Sequence, residues 1–368
     1  MFANYHYTLA YLLSFTSISV MAVPAPPTAA VAPMGAAVTI AVSDGGSAYP
    51  RANYLNNGKI IGSYTAFPAS GQQVLTLVTS SDNGASWQFL GTAAQKPLSS
   101  GTLDNAFPLQ LPSGRIILAY RNHSQDAAGA ATIYRITMSS SDDEGVSWQF
   151  LCDAVVVDAT PTNNGVWEPF LRNAGDGSLQ LYFSHEQSPV DQDSVILSSR
   201  DGGITWGPEM AMSGAREHAS RDGMIGVAEM GGNNLLGVFE TNDNSGPFRL
   251  ETVSSADGGA TWSDRKTLYA APEGKNAGAP QIARVGQMLV VSFMTNEDDP
   301  NAKLGTNWVD FADAKLLTST DNGANWVKST VFKAPAFWPG LTVLRDEKTF
   351  LYMAGSDGVV KSQTIGLA

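Results

Sequence analysis

Short apolar runs recur along the chain, each entered through a turn of Gly, Asn or charged residues. Ile60-Ile61 follows Gly58-Lys59, Ile116-Ile117-Leu118 follows Gly114-Arg115, and Leu179-Gln180-Leu181 follows Gly177-Ser178. Leu235-Leu236 follows Asn234, Met288-Leu289-Val290 follows Gly286-Gln287, and Phe350-Leu351 follows Lys348-Thr349. Upstream of each turn stands a second extended stretch, opening on Tyr49-Pro50-Arg51, Phe107-Pro108, Glu168-Pro169-Phe170, Asp222-Gly223, Ala279-Pro280 or Trp338-Pro339. Apolar runs this short between turn residues read as strands, so the pattern predicts six hairpins.

A second repeat runs out of phase with the first. Ser-x-Asp-x-Gly-x-x-Trp occurs at Ser80-Asp82-Gly84-Trp87, Ser141-Asp143-Gly145-Trp148, Ser199-Asp201-Gly203-Trp206, Ser255-Asp257-Gly259-Trp262 and Ser319-Asp321-Gly323-Trp326. The tryptophans lie 61, 58, 56 and 64 residues apart, a period that holds one four-stranded blade with its loops. Within the motif Ser and Asp can bond the turn backbone, Gly supplies a positive φ and Trp packs between blades. The boxes are therefore structural, and an Asp-rich turn repeated at five distant places is not one calcium site. Six hairpins against five boxes predict an all-β, six-bladed β-propeller whose last blade lacks a box. Ala36 to Val42 alternates as a strand and is expected to complete that blade, closing the ring without open edges. Residues 36–368 then form a single domain.

Composition agrees with a sheet-rich core. Of 368 residues, 36 are Gly and 19 Pro, charged residues are 15% and apolar ones 43%, which disfavours long surface helices and charged disorder. A net charge of −12 argues against nucleic acid or an anionic membrane as partner. Cys152 is the single cysteine, so core burial rather than a disulfide must stabilise the fold. The run from Tyr7 to Met21, ending in Val20-Met21-Ala22, reads as a secretion signal over 1–22, followed by a Pro/Ala-rich spacer over 23–35; a secreted, extracellular protein is expected. No later run reaches the roughly 20 residues of a membrane span. His123, His185 and His218 lack metal-ligand spacing, so neither metal nor cofactor is expected. Monomer is the default for a closed propeller.

In a blade, the start of the first strand and the end of the second lie at the same end of the central tunnel. First-strand starts bring Arg51, Asp104, Asn105, Trp167, Glu168, Arg221, Asp222 and Trp338 to that end; second-strand ends bring Tyr64, Arg121, His123, His185, Glu186, Glu240, Asn242, Asn296 and Glu297. Glu168 and Glu240 each border an apolar strand, where burial can separate two carboxyl pKa values. Such a pair is what glycoside hydrolysis requires: one carboxyl protonates the leaving oxygen and the other attacks or activates water. Trp167 and Trp338 can serve as inter-blade core or as sugar-stacking surface. Asn122-His123-Ser124 is a glycan acceptor triplet; a glycan on Asn122 would require the Arg121 loop to turn outward.

The five boxes resemble those of the sialidase superfamily. Val166-Trp167-Glu168-Pro169-Phe170 and Gly237-Val238-Phe239-Glu240, whose glutamates are 72 residues apart, resemble the fungal exo-1,5-α-L-arabinanases of glycoside hydrolase family 93. The resemblance implies a six-bladed propeller, a retaining mechanism and release of arabinobiose from the non-reducing end of linear α-1,5-arabinan, a neutral plant cell-wall polysaccharide. It maps the acid/base onto Glu168 and the nucleophile onto Glu240. Arg51, Asp104, Asn105, Arg121, Trp167, His185, Glu186, Arg221, Asn242 and Trp338 are then candidates to bind substrate. Burial beside Trp167 and the charge of Glu240 are both expected to raise the Glu168 pKa. Two alternatives stand beside this reading. A sialidase would need an arginine cluster and a tyrosine nucleophile, of which only Arg51 after Tyr49-Pro50 has a counterpart; a non-catalytic carbohydrate-binding propeller would use the glutamates as hydrogen-bond acceptors.

Overall fold

The structure, a computed structural model, describes residues 31–160, 165–214, 219–243, 246–300 and 307–367. The expected signal segment and His218 lie outside them. Six antiparallel sheets are arranged as the blades of a propeller. Their inner strands are Ser47–Tyr54, Gly101–Gln110, Val166–Asn173, Gly223–Gly231, Ala277–Val285 and Ala336–Val343, and each pairs with the next strand in sequence through the turns named above.

The sixth blade closes the ring. Val38–Val42 pairs with the Val359–Leu367 strand, as the alternation from Ala36 to Val42 predicts. Val31–Pro33 also pairs with that strand, opposite Ile365 to Leu367. The spacer expected to run to residue 35 thus contributes a strand, because the far end of Val359–Leu367 would otherwise be an open edge.

All five boxes form the same turn. The serine Oγ accepts the glycine N–H at 2.8–2.9 Å and the aspartate accepts the N–H four residues onward at 2.9 Å. Trp148, Trp206, Trp262 and Trp326 each donate their indole N–H to the glycine carbonyl three residues back. Trp87 instead donates to Ser362 Oγ at 3.1 Å, tying the first blade to the sixth across the closure.

Between blades the core consists of strand residues from both neighbours. Ile117, Ile136 and Met138 of the second blade pack with Leu171, Leu181 and Phe183 of the third. Tyr182 and Ile196 of the third meet Ile225 and Phe239 of the fourth. Phe239 is fully buried and immediately precedes Glu240, so blade packing fixes the strand end that carries this carboxyl.

One irregularity repeats six times. The pairing of every inner strand slips by a bulge, and inside each slip sits one residue with left-handed φ: Tyr49, Asn105, Glu168, Met224, Ala279 and Trp338, all between 46° and 58°. A bulge re-aims the side chain it carries, and a non-glycine residue with positive φ persists only where its surroundings enforce it. Here the surroundings are the ring itself, which turns six equivalent residues toward one end of the axis.

Candidate active site

The ring residues converge on a small pocket lined by Tyr49, Arg51, Asn105, Glu168, Met224 and Gln281. Its inner space is about 10 Å³, the size of about one water, so a larger ligand must sit above it at the mouth. Arg51 and Gln281 also line a second cavity of about 480 Å³ that opens at the far face of the propeller, and these two side chains form the partition between them.

Glu168 Oε2 accepts from Ser184 Oγ at 3.3 Å. Burial pushes its pKa up to about 7; the guanidinium of Arg121, the Ser184 hydroxyl and Arg51 pull the other way, and Asp104 adds to the rise. Glu240 stands on the neighbouring blade, where its Oε2 accepts the Ala279 N–H at 2.6 Å. Burial lifts it to about 7 as well, opposed by that N–H and by Arg221, while the charge of Glu168 raises it further. Solvent still reaches part of both residues, as a substrate must. Desolvation dominates the Glu168 shift as expected, and the charges of Glu168 and Glu240 repel each other.

Glycines make room for Glu240. A Cβ on Gly278 would lie 2.4 Å from Glu240 Oε2, and one on Gly223 would lie 3.7 Å from Oε1. Gly278→Ala should leave the fold stable, because the atoms it meets, Glu240 Oε2 and the edge of the Trp308 ring at 3.1 Å, are side-chain ends rather than backbone, yet displace the carboxyl. We expect kcat to fall by roughly 100-fold, the cost of a misplacement of about 1 Å, with a melting temperature within about 2 °C of wild type by calorimetry.

The other predicted residues separate into those at the site and those turned away. Asp104 is buried, accepts from Thr65 Oγ1 at 2.5 Å and pairs with Arg121 at 3.3 Å; burial raises its pKa. Arg121 lies 5.2 Å from the Trp167 ring centroid. Asn105 lines the pocket beside Tyr49. Arg51 donates to the carbonyls of Pro50 at 2.8 Å and Trp338 at 3.2 Å, and burial lowers its pKa to about 10. Arg221 pairs with buried Glu186 at 2.7 Å, and its backbone N–H donates to the Asn242 carbonyl. Trp338 stacks on Tyr49 with centroids 4.3 Å apart. Trp167 packs edge-on against His123 at 4.9 Å and keeps part of its surface exposed.

His185 is not part of this cluster. Strand alternation sends Ser184 toward Glu168 and Glu186 toward Arg221, whereas His185 turns to the opposite face and bonds Glu209 at 2.9 Å. Asp222, at 0% exposure, is held by Arg265, Ser220 and Thr241 and anchors the strand end next to Glu240. Glu297 is bound by Lys315 and Lys328. Asn122 turns to the strand face opposite Arg121 and bonds Thr137 and Lys96, so Arg121 stays at the site without competing with it.

Tyr49, Ser184, Met224 and Gln281 were not predicted. The x-Pro step of the inner strands marked Tyr49, Glu168, Ala279 and Trp338 alike, but its link to the bulge needed the pairing register. Among the described residues, the buried polar atoms without a protein partner include four on predicted site residues: Asn105 Oδ1, Arg121 Nε, Trp167 Nε1 and Asn242 Oδ1. Such groups are costly when unpaired. Among the described residues no group of three or more His, Cys, Asp and Glu is arranged to hold a metal.

Residues 54–290 match the BNR repeat-like domain. The chain belongs to this family. As a BNR repeat-like propeller it superimposes on an α-L-arabinanase of Penicillium chrysogenum complexed with arabinobiose, at TM-score 0.70 and 19% identity over 90% of this chain and 98% of that one. It likewise matches the α-L-arabinofuranosidase of Fusarium graminearum in complex with an iminosugar inhibitor, at 0.70 and 18% over 91% and 99%. The NanB sialidase of Streptococcus pneumoniae matches at 0.59 and 12% over 89% and 69%. These likenesses establish the BNR repeat-like fold. No curated protein matches the sequence.

Proposed function

We propose that the chain is a secreted, retaining exo-glycoside hydrolase that releases arabinobiose from the non-reducing end of linear α-1,5-L-arabinan. The observation that carries this is the pair of enclosed carboxyls on adjoining blades, both lifted to about 7, with the charge of Glu168 raising the pKa of Glu240. Such a pair resists double ionisation and holds one proton near neutrality, the state in which one member is an acid and the other a nucleophile.

Their hydrogen-bond partners support the roles that the resemblance assigns. The Ala279 N–H on Glu240 Oε2 favours the ionised form and leaves Oε1 to attack the anomeric carbon. Glu168, whose hydrogen bond is the longer contact from the Ser184 hydroxyl, gives its proton to the departing glycosidic oxygen. The bond to that oxygen breaks as the Glu240 ester forms. Glu168, now ionised, takes a proton from water, whose oxygen displaces Glu240 and restores the original configuration.

Charge favours a neutral substrate over a sialoside. Arg121 and Arg221 are already paired with Asp104 and Glu186, so among the described residues no cluster of three free guanidiniums awaits a carboxylate. The surroundings of the pair are two-sided: Asp104, Arg121, Glu186 and Arg221 on the second to fourth blades offer hydroxyl partners, and Tyr49 stacked on Trp338 offers an apolar face. Incubation with linear arabinan and, separately, a sialyl-lactose tests the choice by chromatography. Arabinobiose as the sole early product is expected; free sialic acid, or binding of arabinan without hydrolysis, would overturn it.

A further inference from the structure

Arg265 lies on the outer strand of the fourth blade, Ser263–Tyr269, and its guanidinium reaches across the blade to the strand end that carries Glu240. Nη1 and Nη2 donate to Asp222 Oδ2 and Oδ1 at 2.6 and 2.9 Å, and Nη2 also donates to Thr241 Oγ1 at 3.2 Å. The Thr241 hydroxyl in turn donates to Asp222 Oδ1 at 2.6 Å. Cζ sits 5.0 Å from the centroid of the Phe239 ring. Asp222, Phe239 and Thr241 are all fully buried. One cation therefore grips both neighbours of Glu240, whose side chains point to the strand face opposite the carboxyl.

The segment that Arg265 fixes runs between the two glutamates. Gly223 follows Asp222 and pairs with Glu240 across the hairpin. A Cβ on Gly223 would lie 3.4 Å from Ser184 Oγ and 3.7 Å from Glu240 Oε1. That Ser184 hydroxyl donates to Glu168 and accepts the Met224 N–H at 3.3 Å. Asp222 is also tied to the third blade, its N–H donating to the Gln192 carbonyl at 2.8 Å and its carbonyl accepting from Gln192 Nε2 at 2.9 Å. A shift of Asp222 would thus move the spacer between Glu168 and Glu240. The outer part of the network is separate: Arg265 Nε donates to Glu251 Oε2 at 2.5 Å, and Arg249 donates to the other oxygen of Glu251 at 2.7 Å.

Resting on the hydrolase reading, we propose that Arg265 is a positioning residue that, through Asp222, Thr241 and Phe239, sets the distance between Glu168 and Glu240 without touching the substrate. Arg265→Lys keeps a cation beside Asp222 and Glu251 but cannot make the two-pronged contact. At a temperature where calorimetry shows the variant folded, kcat on linear arabinan should fall roughly 30- to 100-fold, the cost of misplacing a reacting group by up to about 1 Å. KM should stay within about twofold of wild type, since binding groups are untouched. Arg249→Gln, which removes the neighbouring ion pair, controls for stability alone and should keep the kcat of wild type. A second readout needs no substrate. The carboxyl carbons of Glu168 and Glu240, followed by carbon-13 NMR and assigned with the glutamine variants, should titrate near 7 in wild type. In Arg265→Lys that of Glu240 should drop below about 6 as solvent reaches it. A folded Arg265→Lys with wild-type kcat and an unmoved Glu240 titration would overturn the assignment, as would an equal loss of kcat in Arg249→Gln. If wild type releases nothing from arabinan, the substrate reading fails and the titration alone decides the assignment.

Discussion

Glu240→Gln is expected to lower kcat on linear arabinan by about 1,000-fold or more, while the bound chain is held about as tightly as by wild type. The amide keeps the size of the carboxylate and can still interact with the Ala279 N–H, so the strand end and binding surface remain, but it cannot form the glycosyl ester. Glu168→Gln should be as severe on the polysaccharide, because its alkoxide leaving group needs a proton. The two losses differ in how they respond to the substrate. An aryl glycoside with a good leaving group needs no acid to depart, so Glu168→Gln should recover glycosylation and accumulate the ester, whereas Glu240→Gln should recover nothing. Single-turnover kinetics on both substrates separates these outcomes. Recovery by Glu240→Gln instead would exchange the two roles.

The same carboxyls should make the protein less stable as pH rises toward neutrality. Each has an ordinary pKa of 4.5 and a folded-state value of about 7. Between those values the folded chain holds more protons than the unfolded one, so stability falls from about pH 4.5 to pH 7 and stays at the lower level above. At the acid end the sign reverses. Hydrogen bonds hold the box aspartates Asp143, Asp201, Asp257 and Asp321 at about 2, so their stabilisation is lost as pH falls from about 4 through 2. Either glutamine variant removes one raised carboxyl. At pH 7.5 it should be more stable than wild type by about 1–3 kcal/mol, on the scale of 1.36 kcal/mol per pKa unit reduced for the solvent that reaches both groups. At pH 4.5 the difference should nearly vanish. Urea unfolding at the two pH values reads this directly; a glutamine variant less stable than wild type at pH 7.5 would contradict the desolvation account.

Much of the fold was legible because its signals are local. The serine, aspartate and glycine of each box bond within one turn, and the hairpins announce themselves by turn residues and apolar runs. Glu168 and Glu240 were legible because strand ends meet at one end of a propeller. The remainder depended on phase and on partners distant in sequence. His185 and Ser184 are adjacent, yet opposite strand faces send one to Glu209 and the other to Glu168. Asp222 looks like a site residue in sequence, but Arg265 reaches across the blade to neutralise it. Tyr49 emerged only with the bulge in its strand, and Trp308 only with the contact across Gly278, since neither has a motif of its own.

The central claim is that Glu168 and Glu240 cleave an arabinan chain end with retention. Proton NMR of linear α-1,5-arabinan during digestion tests it most directly, with Glu240→Gln in parallel. Arabinobiose is expected as the first product, its new reducing end appearing as the α anomer before mutarotation, with no comparable release by the variant. A β anomer appearing first, or release that survives the substitution, would contradict it.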